Sequence, residues 1–556
     1  MRRLRNFYFL LLVSTLGLST SALAQPTASD PGSGISVRFV IKAAGTPVRI
    51  EHDATTGDLY YLTINGDVYR LPPPYTSQSL AFSSADHGLT GQVLGMLIAP
   101  DGTFYLVDNQ VTGSLTTGVV KKGVRQLNGS VVWTTVAQTE PYPRSNTPFD
   151  HNVNGLALSP DGTYLYLNSG SRTDHGEVQS NNGQFPFLRE VPLTSAILRF
   201  PANSQNLILP ADEASLVSGG YLFADGTRNS FDLAFGPNGD LFGTENAGDR
   251  DDNEELNWLR EGHHYGFPWQ IGMTQTPMQF AGYDPSQDLL LNPQAIAVKG
   301  NFFYNDTRYP APPAGVTFTE PIRNLGPDAR YYRDPSDGLV KQVSGNTVFG
   351  TFTTHRSPLG LVFDNAGLLP EPYSADGFVL SWTGANDSDL LAPFSGEGED
   401  LLHLSLNKVG DTYETQVNQL VRGFSNPIDA VLVGSELFVL EFSEPKSIWK
   451  IRFPQNTAVE SELPVEALTL DAYPNPSNGD IRLKIETRDT QEVQVSVYDV
   501  LGREVTRVLP TTLLAGAPNE LRIDLSGKPS GVYSVEVRGD RGPIGRRLIT
   551  HYSTQL

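Results

Sequence analysis

The chain contains no cysteine, which excludes disulfide bonds, thiolate zinc sites and cysteine nucleophiles. Basic residues are also scarce, since 40 lysines and arginines stand against 61 aspartates and glutamates, for a formal net charge of -21. Nucleic acids are bound by basic faces, so this charge disfavours them as partners. Clustered carboxylate and carbonyl oxygens instead suit calcium.

Long apolar runs are lacking after the first two dozen residues, so we expect no transmembrane helix in the mature chain. The amino terminus has three parts in order, namely basic residues Arg2, Arg3 and Arg5, an apolar run from about Phe7 to Leu18, and the small-residue site Ala22-Leu23-Ala24. The run is shorter than the roughly 20 residues that cross a bilayer. We therefore predict that residues 1–24 are a cleavable signal peptide, with the mature chain starting near Gln25.

Helical periodicity is almost absent, whereas short apolar runs separated by glycine turns are frequent, which predicts an all-β fold. One sequence motif recurs, in which an Asp-Gly or Asn-Gly turn joins two apolar runs. It occurs at 99–106, 159–166 and 236–242, and more weakly at 56–61 and 433–439. Each copy is typical of a tight hairpin. Their wide spacing favours the four-stranded blades of a β-propeller over residues 35–455, with hairpins of a β-sandwich as the alternative.

The pattern changes at 456–464, a polar and acidic stretch that we predict as a linker, and short alternating strands follow. Residues 465–556 are predicted to form a small C-terminal β-sandwich. The segment carries these motifs in order: Tyr473–Gly479, the strand Val493–Asp499, Leu501-Gly502-Arg503, Ser530–Tyr533 and the closing strand Arg546–Ile549.

This order of motifs resembles the C-terminal sorting domain of type IX secretion cargo. The resemblance implies passage through the periplasm and outer membrane, the type IX secretion machinery as a partner, and a secreted or cell-surface location. A carbohydrate-binding or fibronectin-like module is the alternative.

Carboxylates crowd one stretch of the middle region, where five of them fall between Asp249 and Glu255. Such density is self-repulsive unless water or a cation neutralises it. Taken alone, the residues leave a calcium site and a solvated acidic loop equally open.

The same stretch resembles the soluble glucose dehydrogenase and sorbosone dehydrogenase family, whose members are six-bladed propellers that hold pyrroloquinoline quinone and calcium. The resemblance is carried by Glu245–Gly248, Glu254–Asn257 and Gly262–Pro268, and by Thr227–Phe235, which is similar to the family's Arg-Asn-Pro segment. It implies the following site: Arg228, Asn229, Asn246, Ala247 and Gly248 at the cofactor, the carbonyls of Ala247 and Gly248 on a calcium, and Glu254, Glu255 and Tyr265 around a structural calcium.

His151 opens a segment, His151–Gly162, that is similar to the family's His-x-Gly-Gly-x-Leu before a Pro-Asp-Gly turn. The resemblance implies that His151 is the general base, which takes a hydroxyl proton while hydride passes to the quinone. An imidazole titrates near neutral pH and is suited to this role. A structural or surface histidine is the commoner meaning of such a residue on its own.

Two departures from the family pattern stand out. In the family, a lysine and a pair of arginines late in the chain neutralise the acidic quinone. The corresponding segments of this chain, 380–386 and 424–429, contain no lysine or arginine. Arg356, Lys341 or Arg422 would have to supply the positive charge instead. The family also has a Gly-Asp pair after the second of the recurring turns. This chain has Gly170-Ser171 at that place, followed by Arg172, Asp174, His175 and Glu177. These residues either line the mouth in a different chemistry or form a loop tied by its own salt bridges.

The sequence therefore predicts an exported oxidoreductase, resembling quinone-dependent sugar dehydrogenases, that transfers hydride from a sugar or other small polyol. The first alternative is a propeller that has kept calcium and lost the cofactor, serving as a surface carbohydrate-binding or adhesion module. The second is a calcium-dependent lactonase-type hydrolase, for which Asn154, Asn229 and Glu245 are candidate ligands.

Overall fold

The computed structural model describes residues 25–344, 350–384, 390–394, 398–454, 469–486, 490–499, 503–539 and 542–552. The predicted signal peptide and linker lie outside the described residues. The described structure is nearly all β, which confirms the predicted fold class. The chain divides into two compact units, residues 1–455 and 456–556.

Helices are few and short in the described part. They are α1 (Ser84–His87), α2 (Glu213–Ser218) and α3 (Ile296–Lys299), with 3₁₀ turns at Pro277–Gln279, Pro285–Gln287 and Ala392–Phe394. No helix among the described residues has the length and apolar character needed to span a membrane.

The strands of the first unit follow in chain order: β1 (Thr27–Ala28), β2 (Ser36–Lys42), β3 (Pro47–Asp53), β4 (Asp58–Thr63), β5 (Val68–Leu71), β6 (Ser79–Phe82), β7 (Gln92–Ile98), β8 (Phe104–Thr112), β9 (Leu115–Arg125), β10 (Val131–Thr139), β11 (Tyr142–Pro143), β12 (Val153–Leu158), β13 (Tyr164–Ser169), β14 (Ala196–Pro201), β15 (Leu207–Leu209), β16 (Leu222–Asp225), β17 (Ser230–Phe235), β18 (Leu241–Glu245), β19 (Glu255–Leu259), β20 (Gln270–Ile271), β21 (Thr274–Gln275), β22 (Arg323–Pro327), β23 (Tyr331–Arg333), β24 (Val340–Gln342), β25 (Pro358–Phe363), β26 (Gly377–Gly384), β27 (Gly398–Val409), β28 (Thr412–Arg422), β29 (Pro427–Val433), β30 (Glu436–Glu441) and β31 (Ser447–Arg452).

Most of these strands form a series of sheets, each begun by an antiparallel hairpin of two consecutive strands, whereas β15 and β22 pair in parallel with β10 and β28. The sheet orders are β3-β4-β5-β6, β7-β8-β9-β10 with β15, β12-β13-β14-β16, β17-β18-β19, β25-β26-β27-β28 with β1, and β29-β30-β31-β2. In the last sheet β2 comes from the start of the unit and pairs with β31 from its end, so this sheet joins the two ends of the unit.

The first strands of the sheets lie side by side. Each of β3, β7, β12, β17 and β25 contacts the next first strand along the chain, and β29 contacts both β25 and β3. The described sheets therefore follow one another in a closed cycle around their first strands. Buried aliphatic and aromatic side chains fill the space between neighbouring sheets.

Glycines allow the first strands to approach one another closely. A Cβ atom on Gly95 would lie 2.3 Å from the Asn154 carbonyl oxygen, and one on Gly155 would lie 2.8 Å from the Phe231 carbonyl oxygen. Both neighbours are backbone atoms of the next first strand. Larger residues at these positions would push the strands apart.

The recurring turns all join the first and second strands of their sheets, as the hairpin prediction requires. Gly102, Gly162 and Gly239 have φ angles of 81°, 74° and 78°, in the region that favours glycine. The segments that precede the first strands lie at the opposite ends of those strands, and they carry His151 and Arg228.

The first strands enclose a cavity of about 280 Å³. Its charged residues include Arg49, whose Nη1 lies 3.3 Å from the Asp232 Oδ1 atom, and the carboxyl groups of Glu51 and Asp429. Burial raises the pKa values of all three carboxyl groups, that of Asp429 to about 7. One arginine thus faces three carboxyl groups that are hard to ionise together.

The second unit consists of β32 (Thr469–Tyr473), β33 (Asp480–Glu486), β34 (Gln491–Tyr498), β35 (Glu504–Leu513), β36 (Pro518–Asp524), β37 (Gly531–Gly539) and β38 (Gly542–His551). They form two antiparallel sheets, β32-β33-β36 and β35-β34-β37-β38. Alternate residues of both sheets, such as Leu483 and Val495, share one hydrophobic core. Ser477 of the first motif exchanges backbone hydrogen bonds with Thr550 and Tyr552 at the closing strand.

We predict that Gly95→Ala destabilises the first unit by about 1–3 kcal/mol, because its methyl group overlaps the Asn154 carbonyl between two first strands. Thermal unfolding followed by circular dichroism measures the change. Gly531→Ala is the control, since the nearest atom to its Cβ is 4.0 Å away. An unchanged first transition in Gly95→Ala would contradict the close packing of β7 and β12.

Candidate functional site

The predicted site residues gather where β12 and β17 begin, together with the turn between β18 and β19. His151, Arg228, Asn229 and Asn246 come from these segments. Arg228 and Asn229 bond Asn246, and the charge of Arg228 acts on the His151 ring. We call this group, with Asn154, the channel mouth. The beginning of β12 is fixed by Asn109, whose side chain bonds both the N–H and the C=O of Val153.

His151 is half-buried, and its Nδ1 atom lies 3.1 Å from Ser171 Oγ and 3.2 Å from the Ser171 carbonyl oxygen. The Ser171 hydroxyl donates to the Thr173 carbonyl at 2.8 Å, so its oxygen can only accept from the imidazole. Nδ1 therefore carries the proton, and Nε2 is the basic nitrogen. Burial and the nearby charge of Arg228 lower the pKa of His151 to about 3, which keeps the ring neutral near pH 7.

The side-chain amides of Asn154 in β12, Asn229 just before β17 and Asn246 just after β18 form a continuous row. Asn154 Nδ2 donates to Asn229 Oδ1 at 3.0 Å, and Asn229 Nδ2 donates to Asn246 Oδ1 at 3.3 Å. Asn246 Nδ2 then donates to the Pro358 carbonyl at 2.9 Å. The row supplies dipoles without net charge.

Arg228 is buried and forms an ion pair with Asp174. Its Nε donates to the Asp174 carbonyl at 2.8 Å, its Nη2 lies 3.2 Å from Asp174 Oδ1, and its Nη1 donates to the Asn246 carbonyl at 3.1 Å. Asp174 also accepts from the Asp249 N–H at 3.0 Å and bonds His175 Nδ1 at 2.8 Å. The charge of Arg228 is therefore balanced inside the protein.

His175 carries these contacts into the segment that contains the 3₁₀ turns and α3. Its ring stacks on Phe303 with centroids 3.8 Å apart, and its Nε2 lies 3.3 Å from the Phe302 carbonyl. Burial opposes the charge of the ring, but Glu177 and Asp174 outweigh it and raise the pKa of His175. Of the two interpretations left open for this loop, the geometry supports a loop tied by its own salt bridges.

Arg172 reinforces the same loop. It is 1% exposed, and its guanidinium group donates only to backbone carbonyls, those of Pro143, Arg144, Gln179, Leu188 and Arg189. Glu190 accepts from its backbone N–H. Arg172 therefore holds four chain segments together and does not face a ligand.

Ala247 and Gly248 follow Asn246 in the same turn, with Ala247 half-buried and Gly248 buried. A Cβ atom on Gly248 would lie 3.0 Å from both carboxylate oxygens of Asp174. Asp249 then accepts a hydrogen bond from the N–H of Ala297 at 2.6 Å. The turn is thus pressed between the Asp174 loop and α3.

The residues predicted for the structural calcium are not brought to one point. Glu255 accepts from Gly272 N–H at 2.7 Å and from Asn257 Nδ2 at 2.8 Å, whereas Glu254 is influenced by the charge of His355. The Tyr265 hydroxyl donates to the Trp258 carbonyl at 2.5 Å. In the part of the chain that the structure describes, no group of three or more acidic or histidine side chains could hold a metal ion, so Glu254, Glu255 and Tyr265 do not fit a single calcium.

The candidate lactonase ligands are also separate. Glu245 accepts from the Arg228 N–H and lies 3.1 Å from Asn257 Nδ2, while Asn154 and Asn229 bond each other. Burial raises the pKa of Glu245 to about 7. Its carboxyl group therefore serves the backbone of Arg228 and is not directed at the two amides.

The candidate substitutes for the cationic clamp are engaged elsewhere. Arg356 donates to Asp400 and to Ser381 Oγ, and Lys341 pairs with Asp334 and Asp337. Arg422 lies at the end of β28 and is also engaged. Asn426 from one clamp segment donates to the carbonyl of Trp382 from the other, at 3.0 Å. Ala385 and Asn386 lie outside the described residues.

Sequence reasoning missed the contact between Ser171 and His151 and a second buried pair. His355 Nε2 lies 2.7 Å from Asp251 Oδ1, and Arg333 bonds the other oxygen of the same carboxylate. The altered Gly170-Ser171 was a sequence signal for the first contact. The second joins residues 104 positions apart, and no local pattern marks it.

Residues 471–551 match the family model of the secretion system C-terminal sorting domain. This match confirms the predicted tail. The sorting domain indicates export by type IX secretion to the cell surface or the extracellular space. It also implies an interaction with that secretion machinery.

No curated protein matches the chain. Among the solved structures to which it is similar are the soluble aldose sugar dehydrogenase from Escherichia coli in its apo-form and a glucose dehydrogenase, each 14% identical, covering 76% of this chain and 100% of theirs, with TM-scores of 0.46 and 0.47. An auxiliary nutrient binding protein from Bacteroides ovatus is 9% identical, covers 75% of this chain and 76% of its own, and has a TM-score of 0.36.

We predict that Glu254→Gln stabilises the protein at pH 8.5 by at least about 1 kcal/mol and has little effect at pH 4.5. Burial raises the pKa of Glu254 to about 8. The same carboxyl titrates near about 4.3 when unfolded, so between these values the unfolded chain loses a proton that the folded chain retains. Stability supplied by the neutral carboxyl is therefore lost as the pH rises.

Thermal unfolding in a chelator, at both pH values, measures this effect. Glu371→Gln changes an exposed glutamate and serves as the control. A lower stability of Glu254→Gln at pH 8.5 would contradict the expected sign. Repeating the series with calcium shows whether the ion stabilises the parent chain more than the variant.

We predict that deleting residues 465–556 leaves the remaining protein in the periplasm, because the sorting domain is then missing while the predicted signal peptide is retained. Fractionation of the producing bacterium, with detection of the first unit, measures its location. A fusion of residues 456–556 to a periplasmic reporter is the matched experiment and is expected to reach the surface or medium. Equal release of the truncated chain would contradict the role of the tail.

Proposed function

We propose that the first unit is a six-bladed β-propeller, that the second is a small β-sandwich, and that the channel mouth binds a sugar or another small uncharged polyol. The closed cycle of first strands supports the propeller. Ligand sites of propellers lie where loops of several blades converge on the channel. The site residues, which begin on the adjacent strands β12 and β17, have such a position.

One observation carries the proposed site. His151 Nε2 is the basic nitrogen of a neutral ring, because the contacts of the ring with Ser171 are made through Nδ1. It stands beside the row of Asn154, Asn229 and Asn246, whose amides offer donors and acceptors without net charge. Hydroxyl groups need such neutral partners when they leave water.

The activity that we propose is oxidation of the bound polyol. His151 takes the hydroxyl proton at Nε2, and the carbon-bound hydrogen leaves as hydride to an external two-electron acceptor of the quinone class. A neutral imidazole within reach of a hydroxyl group is a competent general base. The hydroxyl and carbonyl oxygens of Ser171 hold the ring, and Asn154 and Asn229 would orient the substrate. Burial of the site excludes water from the proton acceptor.

The polar groups of pyrroloquinoline quinone are only partly matched by the donors of the site. Its carbonyl oxygens could accept hydrogen bonds from Asn229 and from the remaining N–H groups of Arg228. Its three carboxylates would need cations, and the described residues of the mouth offer none whose charge is unbalanced, since Asp174 pairs with Arg228 and Asp400 pairs with Arg356. The tricarboxylate therefore does not fit this donor set, and we assign it no step.

This mismatch favours a second candidate function, a surface carbohydrate-binding or adhesion module. Such a module needs the neutral acceptor and the amide row but no hydride acceptor. The sorting domain is compatible with either function, because both operate outside the cell.

We predict that the mature chain, residues 25–556, binds aldoses or small polyols in calorimetric titrations and that His151→Gln weakens binding at least about tenfold, the cost of roughly 1.4 kcal/mol of lost hydrogen bonding. Arg38→Ala, which changes an exposed arginine of β2, is the control. Absence of binding to a panel of neutral sugars would contradict the proposed site.

A parallel titration with pyrroloquinoline quinone in calcium-containing buffer tests whether the site excludes this tricarboxylate. We expect no saturable binding at high micromolar quinone. Saturable binding that Arg228→Ala weakens, and Arg38→Ala does not, would overturn the mismatch and establish the quinone-dependent reaction.

A further inference from the structure

We infer that Ser171 is the positioning residue of His151 and that its hydroxyl and carbonyl oxygens fix the imidazole as the Nδ1–H tautomer. The inference deepens the proposed function and rests on it, because it specifies which nitrogen receives the substrate proton. Ser171 stands where the family resemblance has an aspartate.

The backbone holds Ser171 between the two strands of the site. The His151 N–H donates to the Ser171 carbonyl at 3.0 Å, and the Ser171 N–H donates to the Arg228 carbonyl at 2.7 Å. Gly170 permits this approach, because a Cβ atom there would lie 2.5 Å from His151 Cβ. The distance between Ser171 and the imidazole is thus set by three segments together.

The hydrogen-bond directions select the tautomer. The carbonyl oxygen of Ser171 can only accept, and the hydroxyl hydrogen is already committed to the Thr173 carbonyl. Both atoms that face Nδ1 are therefore acceptors, at 3.1 and 3.2 Å. A proton on Nε2 would leave Nδ1 as an acceptor facing two acceptors, which is repulsive.

Burial, together with the charge of Arg228, lowers the pKa of the His151 ring and keeps it neutral. Arg228 lies on one side, and the Asp174 carboxylate is held by Arg228, His175 and the Asp249 N–H. The neighbouring Asp150 accepts from the N–H groups of Ser145 and Asn146. Among the described residues, no carboxylate forms an ion pair with the His151 ring, so the negative charge of Asp174 favours an imidazolium only at longer range.

A serine partner has a different consequence from a carboxylate. A carboxylate on Nδ1–H would favour the charged imidazolium and raise the pKa of the ring by about 1–3 units. Serine orients the ring through the same nitrogen without supplying charge. Nε2 therefore stays available as a proton acceptor in mildly acidic medium, whereas a histidine whose Nδ1–H donates to a carboxylate would begin to be protonated there.

The test is ¹⁵N NMR of the mature chain with selectively labelled histidine, in which His151→Gln assigns the His151 signals. We expect Nδ1 protonated and Nε2 unprotonated from pH 7 down to pH 4.5. The opposite tautomer, or protonation of the ring with a midpoint above pH 6, would overturn the inference. Neither result depends on turnover, so failure of the proposed function remains distinguishable.

Three variants sharpen the test. Ser171→Asp is expected to raise the midpoint of His151 protonation by at least about one unit, and Ser171→Ala to give a mixture of tautomers. Ser171→Thr keeps the hydroxyl group and is expected to restore the parent spectrum. Ser169→Ala removes a buried hydroxyl that bonds the Leu193 carbonyl, and serves as the matched control.

If Ser171→Asp fails to fold, the alanine and threonine variants still decide the outcome. An unchanged tautomer in Ser171→Ala would show that the hydroxyl group does not position the ring and would overturn the inference. The same variants are then compared for polyol affinity as a function of pH, with the ratio at pH 5 and pH 7 as the readout.

Discussion

The carboxylate of Asp174 is the group on which the geometry of the site depends. A buried carboxylate is stable only when hydrogen bonds and a positive charge replace its hydration. Asp174 obtains them from Arg228, His175 and the Asp249 N–H, which belong to different segments of the chain. Satisfying one charge therefore fixes the loop after β13, the start of β17 and the turn after β18 relative to one another.

This arrangement also determines the electrostatics of the channel mouth. Because Arg228 and Asp174 neutralise each other, the surface left to a ligand consists of amides, an uncharged imidazole and backbone groups. The strongly negative total charge of the chain does not alter this local balance, since surface charges are screened by salt within about 8 Å. A neutral polyol loses least on entering such a site.

Much of the fold followed from local sequence. The Asp-Gly and Asn-Gly turns specify hairpins because glycine accepts the positive φ of the turn, and each such turn joins the first two strands of a sheet. The nearness of His151, Arg228, Asn229 and Asn246 came from the family resemblance and not from periodicity. These residues start or follow strands that only the tertiary fold brings together.

The tautomer of His151 has no local sequence signal, whereas the separation of Glu254 from Glu255 has one. The tautomer of His151 depends on where the Ser171 hydroxyl points, and that direction is set by the Thr173 carbonyl in a turn of irregular shape. The separation of Glu254 from Glu255 was more accessible, because consecutive residues of an extended segment point to opposite sides. Adjacent carboxylates in sequence made the pair look like one ligand set, whereas strand geometry divides them.

The two departures from the family pattern have one physical effect in common. The missing lysine and arginine residues remove positive charge from the mouth, and serine in place of aspartate removes negative charge from behind the base. Together they leave a site of amides, a neutral imidazole and the balanced pair of Arg228 and Asp174, which is the charge state that the proposed neutral ligand requires.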